Sequence, residues 1–111
     1  MTDRAVRDKL AEVAEHEGTI TYGELAPFAG FLSSTPYLGS RLSPFLRRID
    51  KAEQRHGRPL LSALVVTKAS GTPGAGFYAL TAKLGLHPGG IDEAYWQREL
   101  NRTHAYHRDR A

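Results

Sequence analysis

Residues 20–42 run Ile-Thr-Tyr-Gly-Glu-Leu-Ala-Pro-Phe-Ala-Gly-Phe-Leu-Ser-Ser-Thr-Pro-Tyr-Leu-Gly-Ser-Arg-Leu. Thr21 and Glu24 have the spacing of a capping box: the Thr21 hydroxyl can accept from the Glu24 amide while the Glu24 carboxylate reaches back to the Thr21 amide. A helix therefore starts after Thr21. It must be short, because Pro27 removes an amide donor within a turn and Gly30 ends the pattern. Ser33-Ser34-Thr35-Pro36 then reads as a polar turn, a cap and a proline at the first helical position, where a missing N–H is harmless. The helix it opens carries Leu38, Leu42, Phe45, Ile49 and Ala52 on one stripe, and Ser43-Pro44 either kinks it or restarts it as a second helix ending near Gly57.

Before this stretch, Val6, Leu10, Val13 and Ala14 recur at three- and four-residue steps, which predicts a first helix over roughly residues 3–17, capped by Thr2 and stopped by Gly18. After it, Leu60 to Val66 reads as a strand, and Lys68 to Gly76 as a loop too rich in Gly and Pro for regular structure. Residues 77–84 fit either a return strand or a short helix; Phe77-Tyr78 favours strand running into helix, stopped at Gly85. A loop at His87-Pro88-Gly89-Gly90 leads to a final helix from Ile91 to about His107, with Ile91, Tyr95 or Trp96, and Leu100 facing inward. Helix, short helix, turn, longer helix, strand, loop, strand is the element order of a winged helix-turn-helix. The expected fold is thus α+β: a single domain over residues 1–111, with three N-terminal helices, a β-hairpin wing and a C-terminal helix. Val13, Leu25, Leu38, Leu42, Ile49, Leu64 and Val66 should be buried together.

Composition narrows the chemistry. The 111 residues contain no cysteine, which removes disulfide scaffolds, thiolate zinc sites, thiol nucleophiles and redox pairs. The apolar runs are far shorter than the roughly 20 residues a membrane span needs, and no apolar segment follows the N-terminal Met-Thr-Asp-Arg. A cytoplasmic protein without membrane association is the expectation. The net charge of +3 is unevenly distributed: residues 36–70 carry seven cations against two acids, whereas residues 1–35 are net negative. On a helical wheel Tyr37, Arg41, Pro44, Arg48, Lys51 and Arg55 form one stripe beside the apolar one. A cationic face next to a packed face suits a polyanion, although Asp50 and Glu53 are available to neutralise Arg47, Arg48, Lys51 and Arg55.

The motif Ile20-Thr21-Tyr22-Gly23-Glu24-Leu25-Ala26, with Ala29-Gly30 and then Tyr37-Leu38-Gly39-Ser40-Arg41-Leu42, resembles the DNA-binding domain of the O6-alkylguanine-DNA alkyltransferases and alkyltransferase-like proteins. Pro59 to Val66 falls where that family has its Pro-Cys-His-Arg segment, and Gly71 to Phe77 where it has a glycine-rich stretch, so the resemblance spans roughly residues 20–80. It implies a winged-helix fold and DNA binding, with Tyr22 matching a tyrosine that contacts backbone phosphate. It does not imply the family's chemistry. The nucleophilic cysteine falls near Ser62, its His and Arg neighbours near Ala63 and Leu64, and the arginine finger near Pro36, so alkyl transfer is excluded and base flipping by that finger has no residue to perform it.

Other motifs read as structural. Gly71 to Gly76 lacks the Gly-Lys-Ser/Thr ending of a phosphate-binding loop. His104 and His107 lie three apart on a helix, with no third ligand nearby in sequence. Ser62 shows no nucleophile elbow or base. The expectation is a non-enzymatic protein with no cofactor and no metal, binding duplex DNA through Tyr22, Tyr37, Ser40, Arg41, Arg48 and Lys68, the last from the wing. The alternative is a winged-helix interaction module whose aromatic C-terminal helix dimerises or binds a protein.

Overall fold

The computed structural model describes residues 3–110, so the Thr2 cap lies outside the described residues. The elements in order are α1 (Asp3–Glu15), β1 (Ile20–Thr21), α2 (Tyr22–Leu25), a 3-10 turn (Ala26–Ala29), α3 (Leu38–Arg55), a 3-10 turn (Leu61–Leu64), β2 (Val65–Val66), α4 (Ala75–Lys83) and α5 (Glu93–Arg108). The architecture is an α+β globule of five helices and a two-stranded sheet. No helix among the described residues is long and apolar enough to cross a membrane.

The capping box forms as its spacing dictates: Glu24 N–H donates to Thr21 Oγ1 at 3.1 Å and Thr21 N–H to Glu24 Oε1 at 2.9 Å. α3 starts later than the Thr35-Pro36 pair suggests. Thr35 N–H bonds back to the Leu32 carbonyl in a turn, and Tyr37, in the left-handed region at φ 59°, becomes the N-cap. The helix then runs unbroken through Pro44 to Arg55 and buries Leu42, Leu46 and Ile49. Leu25, Leu42, Ile49, Leu64 and Val66 are buried in one core, while Val13 packs against it only partly buried and Leu38, expected in the same core, is only partly buried and not part of it.

The β-hairpin wing is not formed. β1 and β2 pair in parallel, Ile20 with Val65 and Thr21 with Val66, and residues 75–83, which include the expected return strand, are helical. Most of the expected strand at 60–66 is the Leu61–Leu64 3-10 turn. The reason lies in how its backbone groups are satisfied, which in a buried segment must be complete. Leu60 N–H donates to Glu99 Oε2 at 3.0 Å, its carbonyl accepts from Thr103 Oγ1 at 2.9 Å, Ser62 N–H donates to Asp50 Oδ1 at 3.1 Å, and the Ala63 carbonyl accepts from Trp96 Nε1 at 2.8 Å. Side chains of α3 and α5 thus do the work that a neighbouring strand would do. Residues 61–66 are all buried, so their sequence has no polar face to betray its period. At the C-terminal end, Asp92 caps α5 through Tyr95 N–H, which leaves Ile91 outside the helix and exposed instead of inward; Trp96 and Leu100 are the buried pair.

α1, α3 and α4 end in one pattern. At the end of α3, Gly57 has φ 69° and Arg58 N–H reaches back to the Glu53 carbonyl at 2.9 Å; at the end of α4, Gly85 has φ 74° and Leu86 N–H reaches Thr81 at 2.9 Å. The same pair of bonds closes α1, with Gly18 N–H on Val13 and Glu17 N–H on Ala14, but here the left-handed residue is Glu17 at φ 54°, one position before the expected Gly18. A side chain in that region costs about 1–2 kcal/mol that glycine avoids. Glu17→Gly should therefore raise the unfolding free energy by about 0.5–1 kcal/mol after the greater freedom of the unfolded chain is subtracted. Its exposed pair with Arg108 at 3.2 Å contributes little. A urea midpoint above that of the parent chain is the expected reading, and a lower one would refute the assignment.

Candidate nucleic-acid interface

The candidate surface is built around the N-terminal half of α3. Tyr22, the first residue of α2, is half-buried against the core, and its hydroxyl lies against the backbone at Gly74. Burial raises the phenol above its ordinary value, with the Gly74 backbone opposing. Tyr22 thus joins α2 to the loop before α4. Together with Gly39, Ser40, Thr67, Gly74, Ala75 and Gly76 it lines a groove of about 370 Å³. Small residues dominate the lining, so the groove walls are largely backbone.

A narrower pocket shares Tyr22, Gly39 and Gly76 with this groove and is also lined by Ser43, Leu46, Ser62, Phe77 and Leu80. Ser62 is committed to Asp50: its hydroxyl donates to Asp50 Oδ2 while its N–H holds Oδ1. Desolvation pushes the Asp50 carboxyl up to about 7, although the bonds from Ser62 and the Leu61 amide favour the charged form. The arrangement fixes the Leu61–Leu64 turn to α3.

The six predicted contact residues separate into groups. Tyr22 and Ser40 share the groove, and Tyr37 and Arg41 stand exposed at the start of α3. Tyr37 is 81% exposed. Lys68 lines a neighbouring hollow of about 430 Å³ with Thr21, Gly23, Glu24 and Ser33. It extends from a loop closed by Thr67 N–H on the Thr72 carbonyl at 2.9 Å and by a chain of hydroxyl contacts linking Thr67, Ser70 and Thr72. Arg48 is drawn away to α1: it donates to both Asp3 oxygens, at 2.6 and 2.8 Å, over the ring of Phe45, and in return holds the Asp3 carboxyl below its usual range.

Asp50 and Glu53 do not neutralise the outer face of α3, contrary to what their spacing offers. Both are fully buried. Asp50 faces Ser62, and Glu53 accepts from Arg7 Nε at 2.8 Å and Arg58 Nε at 2.5 Å, whose bonds hold its carboxyl below the ordinary value against burial. Among the described residues, Arg41, Arg47, Lys51, Arg55 and Lys68 consequently have no ion-pair partner, and all five are exposed. The inward turn of the acids was invisible in the sequence, where a carboxylate four residues from a cation reads as its partner. The groove residues Gly39, Thr67, Gly74 and Gly76 were also missed as lining, although the Gly-rich run was legible as a turn.

No family model, curated protein or solved structure matches the chain.

His104 Nε2 contacts the Gly18 carbonyl at 2.8 Å, and burial lowers the pKa of His107. Among the described residues no cluster of three His, Cys, Asp or Glu side chains could hold a metal. The aromatic face of α5 is occupied within its own fold, Trp96 in the core and Tyr95 half-buried beside Phe77 and His87.

Proposed function

We propose that this chain is a non-enzymatic, intracellular nucleic-acid-binding protein that takes duplex DNA against the exposed face of α3. α2, the turn after it and α3 are read as a helix-turn-helix, and the closed loop at residues 67–74 stands in for the wing. The observation that carries this reading is the segregation of charge on α3: its two acids face the core, and Arg41, Arg47, Lys51 and Arg55 face water with no ion-pair partner among the described residues. Such a row is self-repelling in the free protein. A run of phosphates relieves that repulsion and releases counterions in doing so. Ser40 and Arg41 sit where base edges or phosphates approach the helix start, with Lys68 alongside; Arg48 is assigned to holding α1 rather than to DNA.

Arg41 tests the reading. Its side chain is exposed and makes no ion pair among the described residues, so Arg41→Ala should leave stability within about 0.5 kcal/mol. Binding to a duplex should weaken several-fold, and the slope of log affinity against log salt should fall by about 1. Fluorescence anisotropy at two or more salt concentrations measures both. Arg98→Ala, which removes an exposed cation from α5, should leave affinity nearly unchanged. A parent chain that binds no DNA at low salt would refute the proposal and favour the interaction-module alternative.

A further inference from the structure

The turn between the Ala26–Ala29 segment and α3 holds two large apolar side chains out in water. Leu32 is 75% exposed and Tyr37 is 81% exposed, yet the backbone that carries them is anchored throughout. Phe31 packs its ring edge-on against Phe45 with centroids 6.2 Å apart, and its N–H bonds the Ala26 carbonyl at 3.0 Å. Ser33 Oγ donates to the Gly23 carbonyl at 2.6 Å, Thr35 N–H closes the turn on Leu32, and the Tyr37 carbonyl accepts from Arg41 N–H at 3.0 Å. Tyr37 itself sits at φ 59° and ψ 42°, where a bulky side chain is disfavoured, and it makes no capping bond. Folding thus places an aromatic ring in an unfavourable backbone state and leaves it four-fifths exposed, a combination that points to a partner outside the chain.

The surroundings say which partner. One helical turn beyond Tyr37 lies Arg41, the first of the unpaired cations along α3. An exposed ring beside a cationic row matches a ligand whose flat apolar groups are spaced along a polyanion. Bases in an unbroken duplex have their faces covered by their neighbours; an unpaired base does not. A ring held by an anchored turn loses little freedom on stacking, and stacking on aromatic side chains is the general means by which unpaired bases are held.

We propose that Tyr37 is a stacking residue for an unpaired base, so that the chain prefers nucleic acid with interrupted pairing over an unbroken duplex. The inference rests on the reading of α3 as a DNA surface and deepens it by naming the substrate class.

The test compares one labelled duplex with the same duplex carrying a single bulged 2-aminopurine, at fixed salt, for the parent chain, Tyr37→Ala, Tyr37→Phe and Arg41→Ala. The parent chain should bind the bulged duplex about fivefold or more tightly and quench the 2-aminopurine. Tyr37→Ala should abolish the preference and the quenching; Tyr37→Phe, which keeps the ring, should retain both. Arg41→Ala should weaken both complexes alike. Equal affinity of the parent chain for the two duplexes, or a preference that survives Tyr37→Ala, overturns the stacking role and leaves the DNA reading standing. Absence of binding to either duplex at low salt overturns both.

Discussion

Trp96→Ala is expected to lower the unfolding free energy by about 3–5 kcal/mol, the range for removing a large aromatic side chain from a core. Trp96 is 7% exposed and packs from α5 into the shared core, while its indole N–H holds the Ala63 carbonyl at 2.8 Å. Truncation opens a cavity and also takes a hydrogen-bond donor from a buried carbonyl in the 3-10 turn, and both losses act on the same segment. A domain of this size has only about 5–15 kcal/mol in total, so the variant loses a large share of its stability and its urea midpoint should fall well below that of the parent chain. Trp96→Phe restores most of the volume without the donor and should lose about 1–3 kcal/mol. This is the chain's single tryptophan, so far-ultraviolet circular dichroism in urea must replace fluorescence as the probe. A loss below about 1 kcal/mol for the alanine variant would mean that α5 is not docked as described.

Asp50 should make the stability depend on pH in an unusual direction. Its carboxyl is raised from 3.8 to about 7 in the folded chain because burial outweighs the bonds from Ser62 and Leu61. A carboxyl with a raised folded pKa contributes stability that is complete below its unfolded value and is lost as pH rises through the folded one. At about 1.36 kcal/mol per pH unit, the loss between pH 4 and pH 7 is at most about 4 kcal/mol. His107 works the other way: burial depresses its pKa, so its contribution is present above about pH 6.5 and falls as pH drops. The two are separated by comparing the parent chain with Asp50→Asn, in which the His107 contribution is common. Urea midpoints from pH 4 to pH 8 should show the parent losing stability relative to Asp50→Asn as pH rises; parallel curves would show that Asp50 ionises as an ordinary carboxylate.

What could be read from the sequence was local. The Thr21–Glu24 box is a three-residue relation, and the alternation of Leu42, Ile49 and Arg41 around α3 is set by helical geometry alone; both are present in the structure. The reading failed where partners lie far apart in the chain. The Leu61–Leu64 turn depends on Glu99 and Thr103, about forty residues later, and Arg48 finds Asp3 at a similar distance in the other direction. Tyr37 was visible as a candidate, but its left-handed backbone was not, because Pro36 offered a simpler start to the helix. The free cations of α3 were visible too, whereas the burial of Asp50 and Glu53 that leaves them free depends on Ser62, Arg7 and Arg58 from other elements.

The borrowed hydrogen bonds of the Leu61–Leu64 turn also set an order of events during synthesis. The run Leu60-Leu61-Ser62-Ala63-Leu64-Val65-Val66 has no charge and no proline, the composition from which intermolecular β-structure grows. Its amide and carbonyl partners on α5 are translated about thirty to forty residues later. A nascent chain therefore exposes its most self-associating segment until α5 has emerged, and damage that undocks α5 exposes the same segment again.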